Sequence, residues 1–167
     1  MRKAGIFTVL LALLAGINFS IWRIEQALAS GQEVILELAP VDPRSLMQGD
    51  YMALNFALDE HIRPLLGDDK PATGHAVIRT NAQGVAQFVR LDDGQPLQDG
   101  ELVLQFRYRQ HRIQFATNAF FFQEGAGQRY EAARYGLFRV SGQGQPYLTH
   151  LLDEKLEKIG QTAVLQN

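Results

Sequence analysis

The sequence has no cysteine, one tryptophan and, beyond Lys3, only three lysines. Without cysteine there is no disulfide scaffold and no thiolate metal site. The few lysines form no basic run, and setting aside Arg2, Lys3 and Arg23 leaves thirteen basic against eighteen acidic side chains. A mildly acidic body excludes the clustered Lys and Arg that a nucleic-acid face requires. His61, His75, His111 and His150 fall in separate segments with no His-x-x-x-His or carboxylate spacing, so each reads as a surface or turn histidine and no metal or other cofactor is expected. There is no phosphate-cradling glycine pattern ahead of a helix, no internal repeat and no low-complexity tract.

What is present begins with one long uncharged run. From Ala4 to Trp22 nineteen residues carry no charge, which as a helix is roughly 28 Å, close to the hydrocarbon thickness of a bilayer. Arg2 and Lys3 precede it, and the positive-inside tendency keeps them in the cytoplasm. The folded remainder is then expected outside, in the periplasm if the cell is Gram-negative, with the chain held in the inner (cytoplasmic) membrane by a single pass. A cleavable signal is the rival reading, because Ala27-Leu28-Ala29 has the small-x-small form of a cleavage site. The apolar run exceeds the usual signal core, Trp22 suits an interfacial anchor, and Ile21, Ile24 and Leu28 continue one helical face, all of which favour retention.

After Glu33 the dominant period is two, the mark of half-buried strands. Val34, Leu36 and Leu38 alternate with Ile35 and Glu37, and Met52, Leu54, Phe56 and Leu58 share a face of the next strand. In "ELVLQFRYRQ", Leu102, Leu104, Phe106 and Tyr108 point inward, and "RQHR" turns the chain back as a hairpin. "GHAVIRT" and "VAQFVRL" flank the turn former "NAQG". Residues 59–73 lack a period and read as a long surface loop with at most one helical turn. "GQRYEAARYG" reads as a short helix, with Glu131 three residues before Arg134 and Gly136 as a left-handed stop. Strands "GLFRV" and "PYLTHLL" follow, and the terminal segment reads as a fraying tail. The fold class is mainly β: a small antiparallel barrel or sandwich with one short helix, preceded by a single N-terminal transmembrane helix. The boundaries are 1–30 for the anchor, 31–153 for the exported β-rich domain and 154–167 for the tail.

The densest local signals lie in "PVDPRSLMQGDYMALNF", residues 40–56. Pro40 cannot donate to a ladder and ends a strand; Asp42-Pro43 starts a turn; Gly49 suits positive φ and Asp50 suits capping nearby amides. Every one of these residues has a structural duty at a corner between strands. Gly49-Asp50-Tyr51-Met52-Ala53-Leu54-Asn55-Phe56 also resembles the GDYXXLXY family of bacterial membrane-anchored proteins. Pro40, Asp42, Pro43 and Arg44 fit the resemblance, as do Glu124 and Gly125 in "FFFQEGAGQRYEAARYG", and it spans essentially the whole chain. Phe56 departs from the motif's final Tyr, keeping the ring and losing the hydroxyl. The resemblance implies an anchored topology in the company of polytopic membrane proteins, and no particular activity.

Ser45-Leu46-Met47-Gln48-Gly49-Asp50 is more faintly similar to the Thr-Leu-x-x-Gly-Asp segment of type I signal peptidases. That alignment puts Val41, which cannot attack a carbonyl, at the nucleophile. Lys70, Lys155 and Lys158 lie in a loop and the tail, poorly placed for a general base. No catalytic residue is therefore assigned, and an exported hydrolase using Ser45 and Asp50 stands as the alternative. Binding fits better. Phe120, Phe121 and Phe122 are consecutive, so in a strand one ring must leave the core face, beside Tyr51 or Tyr130. The candidate binding residues are Asp42, Arg44, Gly49, Asp50, Tyr51, Phe122, Glu124, Gly125, Tyr130 and Glu131. The expected partner is an integral membrane protein, with no nucleic acid. A third class, a small-ligand carrier, would require a deep apolar cavity at a barrel mouth.

Overall fold

The computed structural model describes residues 2–39, 47–48, 51–67, 73–109, 111–117, 119–122 and 125–160. Helix α1 (Arg2–Ser30) leads without a linker into strand β1 (Gln32–Glu37). Then come β2 (Met47–Gln48), β3 (Tyr51–Ala53), the one-turn helix α2 (Leu58–Ile62), a 3-10 turn Arg63–Leu65, and strands β4 (Thr73–Thr80), β5 (Ala86–Leu91), β6 (Glu101–Arg109), β7 (Arg112–Gln114) and β8 (Ala119–Phe121). Helix α3 (Gly127–Tyr130) precedes β9 (Tyr135–Val140), β10 (Pro146–Leu152) and β11 (Lys158–Ile159). Three antiparallel sheets, ordered β1-β9-β10-β11, β2-β3-β8 and β5-β4-β6-β7, curve round one core as an incomplete barrel.

Segment Ile6–Ser30 of α1 is long and apolar enough to cross a membrane, a test that a signal sequence also passes. Its apolar side chains are uncovered by the domain, with Ile6, Phe7 and Trp22 all more than half exposed. Among the described residues the helix meets the domain at its end, where Ala27 is buried and the helix contacts β9. Gly31 closes the last turn, donating from its amide to the Ala27 carbonyl at 2.9 Å. A Cβ at Gly31 would collide with that carbonyl and crowd the Val140 carbonyl at 3.0 Å, so only glycine lets helix and strand meet so tightly. Arg139 donates to the Gly31 carbonyl and pairs with Glu33, both at 2.8 Å.

The alternating patterns place the core as expected. Val34 and Leu36 on β1, and Leu104 and Phe106 on β6, are fully buried, while Leu102 and Tyr108 pack at the margin. The β4–β5 hairpin turns on Asn81, whose Oδ1 accepts from the amides of Gln83 and Val85 at 2.9 and 3.0 Å. At the centre, Phe56 meets Phe115 and Phe138 edge-on, with ring centroids 5.5 and 5.6 Å apart.

Four expectations need correction. Met52, Leu54, Phe56 and Leu58 are all buried, but β3 ends at Ala53, Phe56 makes one bridge to Leu38, and Leu58 opens α2. Residues 58–65 form an α turn and a 3-10 turn, more helix than the single turn expected in that loop, and Leu58, Ile62 and Leu66 are buried in the core at a four-residue spacing that Pro64 obscures. The second helix is a single turn. The Leu38 amide donates to the Arg134 carbonyl and the Arg134 amide to the Leu152 carbonyl, both at 2.9 Å, so pairing with β1 and β10 takes the backbone that a longer helix would use. Gly136 accordingly lies inside β9, opposite Leu36 and Leu151, and not at a left-handed stop. Finally, the tail does not simply fray: Lys158 and Ile159 pair with Leu152 and Leu151 as β11.

Removing the central ring tests the core directly. Phe56→Ala should cost about 3–5 kcal/mol, whereas Glu154→Gln on the exposed surface should stay within about 0.5 kcal/mol, as read from denaturant midpoints of the detergent-solubilised chain. A second test uses His150 on β10. Burial, and then the nearby Lys158 charge, hold its pKa below the ordinary 6.5, with Glu33 opposing. The folded state therefore keeps this imidazole neutral where the unfolded chain protonates it, so its contribution is lost as pH falls below 6.5 and becomes constant below the folded pKa. The stability difference between the natural chain and His150→Gln should shift against the natural chain over that window, and be flat above it.

Candidate functional site

The motif segment builds a three-stranded sheet with two different faces. Gln48 lies opposite Tyr51 and Met47 opposite Met52 in the β2–β3 pair, while Tyr51, Met52 and Ala53 lie opposite Phe121, Phe120 and Ala119 in the β3–β8 pair. Strand alternation then separates the side chains. Met52 and Phe120 point into the core and are each 1% exposed, whereas Phe121 on the other face is 55% exposed. The Tyr51 ring lies against Phe121, with centroids 5.8 Å apart and the planes tilted by 44°. Such cross-strand aromatic pairs stabilise a short sheet. Among the described residues, β2 and β8 are both edges of this sheet.

On the inner side, Tyr130 from α3 packs on Phe120 at 5.0 Å and stacks on Phe122 at 5.3 Å. Tyr130 is itself 5% exposed. Its hydroxyl abuts Gly160, a residue in left-handed backbone at φ +71°, where a Cβ would run into the phenol. Sequence reasoning placed Gly160 in the tail and missed this closure; the signal was a lone glycine directly after Ile159.

Of the ten candidate binding residues, the structure brings Tyr51, Phe122 and Tyr130 onto the two faces of this one sheet. Gly125 is exposed in the turn before α3. Glu131 is exposed too, and its backbone carbonyl, not its carboxylate, accepts from Arg134 at 3.1 Å. Asp42, Arg44, Gly49, Asp50 and Glu124 lie outside the described residues, as does Ser45 of the hydrolase alternative. The other motif positions are structural. Leu54 and Phe56 are buried, and Asn55 Oδ1 accepts from Arg112 at 2.7 Å.

Charged groups elsewhere are engaged in scaffolding. The Glu101 carboxylate, 2% exposed, accepts from the Gln98 amide at 3.0 Å and lies 3.3 Å from Arg79 and 3.8 Å from Arg90. Asp59 Oδ1 accepts from the buried Ile113 amide at 3.0 Å, tying α2 to β7. No group of three metal-capable side chains occurs among the described residues.

The model of the GDYXXLXY protein family matches residues 13–151, most of the chain. The chain belongs to the GDYXXLXY family. No match emerged among curated proteins or among solved structures. The family's signature thus falls on β3 and its flanks, where Leu54 and the Phe56 ring serve the core and Tyr51 serves the outer face. The final ring of the motif sits in a fully buried aromatic nest, which explains why Phe serves in place of Tyr: a hydroxyl there would need a partner.

Gly160→Ala tests how the tail closes on Tyr130. It should destabilise by about 1–3 kcal/mol through strained backbone and displacement of the phenol. In a Tyr130→Phe background the cost should fall only in part, because ring carbons of residue 130 remain 2.8 Å from the added Cβ. An identical cost in both backgrounds, by denaturant titration, would show that the hydroxyl is not the obstacle.

Proposed function

We propose that this chain is a membrane-tethered, non-enzymatic binding module that docks onto an integral membrane protein through the outer face of its motif sheet. The observation that carries the reading is Phe121, a large ring 55% exposed and braced by Tyr51 across the β3–β8 pair. An aromatic pair held by backbone pairing, beside a strand that is an edge among the described residues, is the anchor chemistry of protein interfaces. The apolar length of α1 supports a retained anchor, with Arg2 and Lys3 in the cytoplasm and the β-rich domain on the outer side of the inner membrane, in the periplasm of a Gram-negative cell. A tether confines the module to the plane in which integral membrane proteins lie, raising the effective concentration of such a partner.

Site-specific photocrosslinking in intact membranes tests this. A benzophenone amino acid at position 121 should give one discrete adduct, identified by mass spectrometry as a polytopic membrane protein, and Tyr51→Ala should reduce its yield several-fold. The same probe at Val89, exposed on β5, should not give it. Adducts only with lipid or soluble protein, or the same adduct from both positions, would refute the docking face.

A further inference from the structure

The strand pairing leaves a second concavity, away from the motif sheet. Ile35 on β1 and Val85 at the start of β5 form an isolated parallel bridge, with the Ile35 amide donating to the Gly84 carbonyl at 3.0 Å. β1 pairs with β9 along its whole length and Leu38 just after it bridges to Phe56, β5 stays with β4, and α2 lies against β5 at one side of the gap. Glu37 and Gln87 are each two residues past the bridged pair, so strand alternation brings both side chains out on the same side, one from each wall. With His61 and Leu58 from α2, and Phe88 and Ala86 from β5, they line a cleft of about 380 Å³.

The chemistry of this lining is selective. Glu37 supplies a carboxylate that makes no ion pair or side-chain hydrogen bond among the described residues, and Gln87 is exposed in the same mouth. The rings of His61 and Phe88 lie parallel within 4°, with centroids 6.4 Å apart. The carboxylate of Glu37 opposes an anion, and together with flat aromatic walls it matches a planar cation with several N–H donors. A guanidinium satisfies this set: its edge can bind a carboxylate in bidentate fashion while its face lies on a ring. An ammonium is spherical in its demands and gains little from parallel planes. The acidic balance of the body favours the approach of a positive group.

We propose that the Glu37–His61–Phe88 cleft is a binding site for an arginine side chain presented by a partner protein. The Glu37 carboxylate takes the guanidinium edge, and the parallel His61 and Phe88 rings flank its face. This site is independent of the Tyr51–Phe121 face, so either can fail without the other.

The probe is N-acetyl-arginine methylamide, titrated into the detergent-solubilised full chain with 13C-labelled His and Phe rings and followed by NMR. Saturable shifts of the His61 and Phe88 resonances are expected, at least about tenfold weaker with the neutral isostere N-acetyl-citrulline methylamide and with Glu37→Gln. Glu154→Gln, remote and exposed, should leave the titration unchanged. Equal response to the citrulline compound, or indifference to Glu37→Gln, would overturn the proposal. So would binding that appears only in Arg44→Gln, since the cleft would then serve the chain's own guanidinium.

Discussion

The fold depends on three aromatic rings that three sheets contribute to one point. Phe56 follows β3, Phe115 follows β7 and Phe138 lies on β9, and each is at most 1% exposed. Their edge-on contacts at 5.5 and 5.6 Å use the attraction between ring edges and ring faces in addition to the burial itself. None of the three sheets is large enough to bury a face unaided; β2-β3-β8 has strands of two or three residues. The rings supply the common core that makes such short strands worth ordering. In this chain the final position of the motif is therefore architectural: Phe56 supplies a buried ring.

That architecture divides the motif into an inner and an outer part. Leu54 and Phe56 are inside, Asn55 ties the segment to Arg112, and Tyr51, among the described motif residues, pairs with Phe121 on the outer face. The consecutive Phe120, Phe121 and Phe122 are explained by the same sheet. Rings 120 and 122 join Tyr130 on the inner side, and ring 121 has no inward position available to it. An apolar side chain left out by the pleat is a constraint of strand geometry, and a docking face is the use to which the proposed function puts it.

The junction at Gly31 connects this face to the helix. No flexible segment separates α1 from β1, and Arg139 clasps the joint by holding both the Gly31 carbonyl and Glu33. Just past β1, Leu38 bridges to Phe56 and the Ala39 amide donates to the Asn55 carbonyl, which joins this strand to the end of the motif segment. The helix and the domain are therefore joined through hydrogen bonds at Gly31 with no intervening loop. Loss of the Arg139 clasp would loosen that joint without touching either proposed surface.

The strands, the hairpins at Asn81 and at 109–112, the uncharged leading helix and the outward ring among three phenylalanines were all legible in the chain, because each rests on neighbours a few residues apart. The four-residue spacing of Leu58, Ile62 and Leu66 was also written there, but Pro64 concealed it. Gly136 in β9, the pairing of β11 and the closure of Gly160 on Tyr130 were not, since each depends on distant backbone competing for the same hydrogen bonds or the same space. The cleft is the clearest case. The sequence by itself determined that Ile35 and Glu37 leave one face of a strand; only the tertiary structure decided that Val85 and Gln87 stand beside them. A contact spanning fifty residues carries a loop-closure cost that no local preference offsets, and it forms only when the shared core is complete.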